Sequence, residues 1–181
     1  QNCASGMRAL DIAAMKLMLG QTEIALVTGT ESMSNIPYIL PNMRFGARLG
    51  DTKCQDAMLA DGLVCQLAGS HMGVTAENVA ERYGITREQC DELALISHLR
   101  GTRANEEGRF AREIVPVTLK SKKGDVVFDK DEHPIKGVSL EKMAKLPPAF
   151  KKGGVVTAAN ASGLNDASAA AVLMTKKKAE E

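Results

Sequence analysis

Tryptophan is absent, and tyrosine and phenylalanine together supply only six of 181 residues. Any core must therefore be built from Ala, Val, Leu, Ile and Met, and a nucleic-acid reader that stacks bases on aromatic rings is disfavoured. Charge of one sign is lacking too. A net charge of +1 gives no global attraction to a nucleic-acid or membrane partner. No apolar stretch approaches the roughly 20 residues that span a bilayer. The four cysteines, Cys3, Cys54, Cys65 and Cys90, form no C-x-x-C pair, which argues against a zinc site and a disulfide framework. No two histidines have metal-ligand spacing, so no metal is expected. Reduced thiols make the cytoplasm the expected location, with an organelle leader ahead of Gln1 as the alternative. There is no initiator Met, and Gln1-Asn2-Cys3 runs at once into a helical pattern. A fragment of a longer chain is the expectation.

What is present is an ordinary apolar fraction of 44%, arranged with clear periodicity. Met7, Leu10, Ala13, Ala14, Leu17 and Met18 recur at helical spacing, which predicts a helix over 4–19. Ile24 to Thr28 reads as a buried strand and 29–32 as a turn, suggesting half of a parallel α/β layer. The stretch 35–50, with its prolines, glycines and arginines, reads as an excursion, and 52–67 as room for a short helix. Further helices are predicted over 75–83 and from a capping box at Thr86 and Gln89 to about residue 107. Strands are predicted over 114–119 and 126–129, a short helix capped by Ser139, and a final strand over 169–174. Composition is apolar and rich in Gly and Met before Ser70, charged from Thr75 to Lys152, and small and apolar again after Gly153. That pattern suggests an insertion within one α/β layer, with residues 1–70 and 153–181 in the core and 71–152 in the insert.

Three segments have residues suited to chemistry. Cys3 lies beside a helix start, where unpaired N–H groups and the helix dipole favour thiolate, the nucleophilic form. A small buried hydrophobe is the competing reading of any lone cysteine, and it is retained for Cys54, Cys65 and Cys90. His71-Met72-Gly73, before Thr75-Ala76-Glu77-Asn78, can present a histidine to a ligand from a loop, although a solvated or hydrogen-bonded histidine is the commoner case. His98 and His133 fall in no constellation. The run Val156 to Asp166 is small and hydrogen-bonding, and such a loop lets backbone groups approach a ligand. It matches neither a P-loop nor a dinucleotide fingerprint. The lysines at 120, 122, 123, 151, 152 and 176–178 read as solvated surface.

Together these segments resemble the thiolase family. Asn2-Cys3-Ala4-Ser5-Gly6-Met7 is similar to its acyl-carrying cysteine motif. Gly29-Thr30-Glu31-Ser32-Met33-Ser34 is similar to its Gly-Gly-x-Glu-x-Met-Ser motif. His71-Met72-Gly73 with Ala76-Glu77-Asn78, Lys145 to Phe150, and Thr157 to Asp166 follow in the family's order. The resemblance implies an α/β, thiolase-like fold. This chain would be the later part of the N-terminal α/β half with its inserted loop domain, the C-terminal half missing.

The resemblance further implies acyl transfer through a thioester, in acyl-CoA and fatty acid metabolism. Cys3 would attack an acyl-CoA, and the acyl-enzyme would serve condensation or thiolysis of a 3-ketoacyl-CoA such as acetoacetyl-CoA. The Cys3 N–H would form half of an oxyanion hole. Leu63, His71, Met72, Phe150, Ala158, Ala161, Ser162, Gly163 and Leu164 carry over as CoA-pocket positions. Coenzyme A or acetyl-CoA enters as substrate, and no permanently bound cofactor is expected. Partners would be acyl-CoA molecules and further copies of the chain, in a homodimer or homotetramer, with no nucleic acid and no membrane. Ala159, Ala167-Ser168 and Ile135-Lys136 depart from common family residues, which leaves the subclass open. Two other readings stand beside the enzyme: a non-catalytic acyl-CoA-binding module, and a scaffold subunit completed by another chain. By itself this piece lacks a base near Cys3 and is expected to be inactive.

Overall fold

The periodic segment does fold as a helix, because straight-chain and small residues dominate it and its one ion pair, Arg8 with Asp11, lies on the open face. In the computed structural model, which describes residues 1–181, a 3-10 turn at Asn2–Ala4 leads into α1, Ser5–Met18. Strand β1 follows at Ile24–Ser32. Short strands β2 (Tyr38–Ile39) and β3 (Gln55–Asp56) pair with each other around the excursion. The expected helix in 52–67 is only one wide turn of π-helix, Met58–Leu63. The tight hairpin of β4 (Val64–Cys65) and β5 (Ser70–His71) comes next. Helices α2 (Met72–Tyr83) and α3 (Arg87–Glu106) are followed by the hairpin β6 (Val117–Leu119) and β7 (Val126–Phe128). Helix α4 spans Leu140–Ala144, β8 Asp166–Met174, and α5 Lys176–Glu180.

Several boundaries follow from local chemistry. Thr86 and Gln89 form the complete reciprocal capping box of α3, and Ser139 accepts the Lys142 N–H at the start of α4. Helices α2 and α3 run out at Gly84 and Gly108, whose φ values of 65° and 68° suit residues without a Cβ.

The chain divides into two compact units. The first is Gln1–His71 with Leu164–Glu181, and the second is Met72–Gly163. In the first, β1 and β8 pair in register from Ile24–Met174 to Ser32–Asp166. The pairing is antiparallel, which corrects the parallel layer expected from the helix–strand order. Residues 29–32 do not turn: they continue β1, because Asp166, Ala167 and Ser168 offer them a full ladder partner. Nor is the strand buried throughout. Helix α1 packs on one face only, so Val27 is buried while Leu26 and its partner Val172 on the other face are 69% and 61% exposed. Where α1 packs on β1, a Cβ on Gly29 would lie 3.9 Å from the Gly6 Cα, an ordinary van der Waals contact.

In the second unit, Ala80, Met143, Thr157 and Ala159 are buried apolar or uncharged groups, and Glu77 and Asp91 are buried carboxylates. Residues 153–163, placed by composition with the returning core, belong compactly to this unit. Glu77, on α2, holds their backbone there. No helix of the protein is long and apolar enough to cross a membrane.

Candidate functional site

In the first unit the candidate nucleophile Cys3 is exposed. It sits in the 3-10 turn just ahead of α1 rather than within the helix. Asn2 sets that turn. It takes a φ of 50°, a left-handed conformation that Asn tolerates better than most residues. Its Nδ2 donates to the Asp61 carbonyl at 3.0 Å. The cysteine turn is thereby tied to the wide turn 58–63, which ends at the candidate Leu63. Val64, the next residue, pairs with the candidate His71 across the β4–β5 hairpin. Cys3, Leu63 and His71 are thus carried on elements joined by the Asn2 side chain and the β4–β5 hairpin. His71 is half-buried, and it is the last residue before α2, which opens at Met72. Gly73 is therefore helical, not a turn as its sequence suggests. The reason is a contact: a Cβ there would fall inside the Phe150 ring.

Beside these, the segment 30–35 is held by Asp166 at the start of β8. The Ser34 N–H donates to Oδ1 at 2.9 Å, and the Ser32 hydroxyl to Oδ2 at 3.3 Å. Asn35 Nδ2 donates to Ser32 Oγ at 2.6 Å. The Ser34 N–H is the main reason the Asp166 carboxyl titrates below the usual aspartate range, with Ser34 and Ser32 side chains adding to it. Leu164, a further candidate, is largely exposed in this unit.

The second unit carries Met72, Phe150, Ala158, Ala161, Ser162 and Gly163. Phe150 and Met72 are each about two-fifths exposed, at 39% and 44%. Ala149 N–H donates to the Val156 carbonyl at 2.8 Å, so the Phe150 segment lies against the start of the small-residue loop. Three buried or half-buried side chains then fix that loop. Glu77 accepts the N–H groups of Val155 and Val156, both at 2.9 Å. Asn160 accepts the Thr157 N–H at 2.7 Å and donates to the Val155 carbonyl at 2.9 Å and to Asp91 Oδ1 at 2.8 Å. Asp91 takes Arg87 Nε at 2.8 Å through its other oxygen, and Arg87 also donates to the Met143 and Leu146 carbonyls at 2.6 and 3.2 Å. Asp91 is thus paired with Arg87 and bonded to Asn160, and Glu77 is satisfied by two backbone N–H groups, as burial requires. Lys151, expected as plain surface, reaches Glu81 at 2.6 Å.

Sequence reasoning passed over most of these fixing residues. Arg87 and Asp91 do show the i, i+4 spacing of a helical ion pair. Glu77 lies within the quoted Thr-Ala-Glu-Asn segment, but its partners are 78 and 79 residues away and leave no local trace. His98 likewise bonds Ala159 and Ile135, 61 and 37 residues distant. Cys90 keeps its structural reading: burial first, then Asp91 and Glu77, push its thiol up, against thiolate formation.

A family model described as thiolase, N-terminal domain, matches residues 1–177. The chain belongs to the thiolase family. A curated acetyl-CoA acetyltransferase of Syntrophomonas wolfei is 52% identical over 181 residues, which cover 99% of this chain and 46% of that protein. A solved acetyl-CoA acetyltransferase structure from Syntrophomonas wolfei superposes with a TM-score of 0.94 at 72% identity, over 99% of this chain and 45% of the other. The human mitochondrial 3-ketoacyl-CoA thiolase structure gives 0.91 at 40% identity, over 98% and 45%. The fold is accordingly the mixed α/β fold of thiolases. This thiolase chain spans just under half the length of the relatives it matches.

Proposed function

We propose that this thiolase chain belongs to an acyl-CoA-dependent acyltransferase that forms or cleaves a 3-ketoacyl-CoA such as acetoacetyl-CoA. The observation that carries the reading is Cys3: an exposed thiol in a turn at the head of α1, held from behind by Asn2. In this reading the Cys3 thiolate attacks the thioester carbonyl of an acyl-CoA. The carbon–sulfur bond to CoA breaks, CoA thiolate leaves, and the acyl group stays on Cys3. In condensation the carbanion of a second acetyl-CoA takes the acyl group and frees the Cys3 thiolate. In thiolysis the Cys3 thiolate instead attacks the 3-keto carbonyl of a 3-ketoacyl-CoA and the C2–C3 bond breaks. The acetyl-CoA carbanion leaves and is protonated, and CoA thiolate takes the acyl group from Cys3. The Cys3 N–H supplies one donor to the oxyanion.

CoA itself enters as substrate and leaves as product. By the family resemblance its contacts are assigned to Leu63, His71, Met72, Phe150, Ala158, Ala161, Ser162, Gly163 and Leu164. The exposed small residues Ala158 and Ser162, backed by the Glu77 and Asn160 clamps, suit a thin amide-bearing ligand. The loop 71–152 is the insert that serves this binding. Four free cysteines support a reducing, cytoplasmic location, and the open apolar face of β1 and β8 supports a homodimer or homotetramer. The test is thiolysis of acetoacetyl-CoA by the full-length protein. Turnover lost by several orders of magnitude in Cys3→Ser supports the reading; turnover equal to wild type refutes it.

A further inference from the structure

Helix α3 carries His98 half-buried, with both ring nitrogens engaged by backbone. The Ile135 N–H lies 3.2 Å from Nδ1. A backbone N–H can only donate, so Nδ1 must be the bare acceptor nitrogen. The proton is then on Nε2, which donates to the Ala159 carbonyl at 3.2 Å. One neutral imidazole thus links two loops that lie far apart in sequence. The first loop is also pressed on α3 by Pro134, whose ring carbon would stand 3.1 Å from a Cβ on Gly101. It is pinned by Asn105, which donates to the Asp131 carbonyl at 3.1 Å. The second loop is the small-residue segment, where Ala159 is buried between the exposed Ala158 and the half-buried Asn160. Its other anchors, Thr157 Oγ1 to the Ala159 N–H at 3.3 Å and Asn160 to Thr157, fix the N–H side of this turn. Only His98 is seen to hold the carbonyl of Ala159.

We propose that His98 is a positioning residue for CoA binding. It fixes the plane of the Ala159–Asn160 peptide, and so the direction in which Ala158 and Ala161 face, while coupling this loop to residues 131–136. The inference rests on the CoA reading above. It requires a donor and an acceptor about one ring-width apart, which a glutamine amide also supplies and an alanine does not.

The test is calorimetric titration of the full-length protein with CoA, with steady-state kinetics and melting curves, for wild type, His98→Ala and His98→Gln. Loss of the hydrogen bond to Ala159, together with the one to Ile135 that orients the ring, should weaken CoA binding about fivefold to tenfold in His98→Ala. The KM for CoA should rise with it while kcat holds, and His98→Gln should bring affinity back to within about threefold of wild type. Wild-type affinity in His98→Ala overturns the proposal. So does a loss that His98→Gln fails to restore although it melts like wild type, or a fall in kcat with KM unchanged. Failure of the wild-type protein to bind CoA at all overturns the CoA reading and this inference with it, and is recognised by the wild-type titration alone.

Discussion

Glu77 offers a demanding test of how the small-residue loop is held. Its carboxylate is 3% exposed and accepts two successive backbone N–H groups, from Val155 and Val156, at 2.9 Å each. A hydrogen bond to a charged group contributes about 1.5–3 kcal/mol, and a buried donor left without an acceptor costs about 1–3 kcal/mol. Glu77→Ala removes both bonds and leaves two partly buried N–H groups facing a void, so the second unit should lose about 3–5 kcal/mol. Glu77→Gln keeps one acceptor but turns an NH2 toward the other N–H, and should lose about 2 kcal/mol. Denaturant titration of the full-length protein measures the loss. Amide exchange locates it, because Val155 and Val156 should lose protection first in Glu77→Gln while the β1 amides are unchanged. A loss below about 1 kcal/mol in Glu77→Ala, or unchanged protection at both amides, would refute the clamp.

Other perturbations follow from the same geometry. In Gly154→Ala the new Cβ would strike the Glu77 carboxylate, so it should displace that side chain and reproduce the exchange pattern of Glu77→Gln; normal protection at 155 and 156 would count against it. Gly73→Ala drives a methyl into the Phe150 ring and should cost about 1–3 kcal/mol, relieved when combined with Phe150→Ala; no relief in the double variant would show that the ring is not the obstacle. For Asp166, whose folded-state pKa is depressed chiefly by the Ser34 N–H, the stabilisation is present above the ordinary aspartate value of about 3.9 and is lost as pH falls through the lower native value. The Ser34 amide should therefore keep its protection down to about pH 4 and lose it below, and Asp166→Asn should flatten this dependence; an unaltered profile would contradict it.

How much of this was legible depends on how local each cause is. The capping box at Thr86 and Gln89 and the periodic face of α1 are written within four residues of each other, and both appear as read. The shared sheet of the segments near Ile24 and Ala169 came from composition on either side of the insert, and β1 and β8 do pair. What could not be read was the direction of that pairing, since helix order suggests parallel strands while the residues at 29–32 and 166–168 simply continue an antiparallel ladder. The start of α2 was missed because Gly73 looks like a turn residue, whereas its small size serves contact with Phe150. For the candidate site, motif resemblance picked out Cys3 and the loops, but it gave Glu77 no role and did not reach His98 or Asp91. Their partners in the small-residue loop lie 61 to 79 residues away, and a buried carboxylate or imidazole has no sequence pattern that separates it from a solvated one.

The central claim is that Cys3 carries the acyl group, and peptide mass mapping addresses it most directly. The full-length protein, exposed briefly to acetyl-CoA and quenched in acid, should carry one acetyl group on the peptide containing Gln1 to Arg8, removable by added CoA. Acetyl found only on peptides containing Cys54, Cys65 or Cys90, or persisting at wild-type level in Cys3→Ser, would contradict the account.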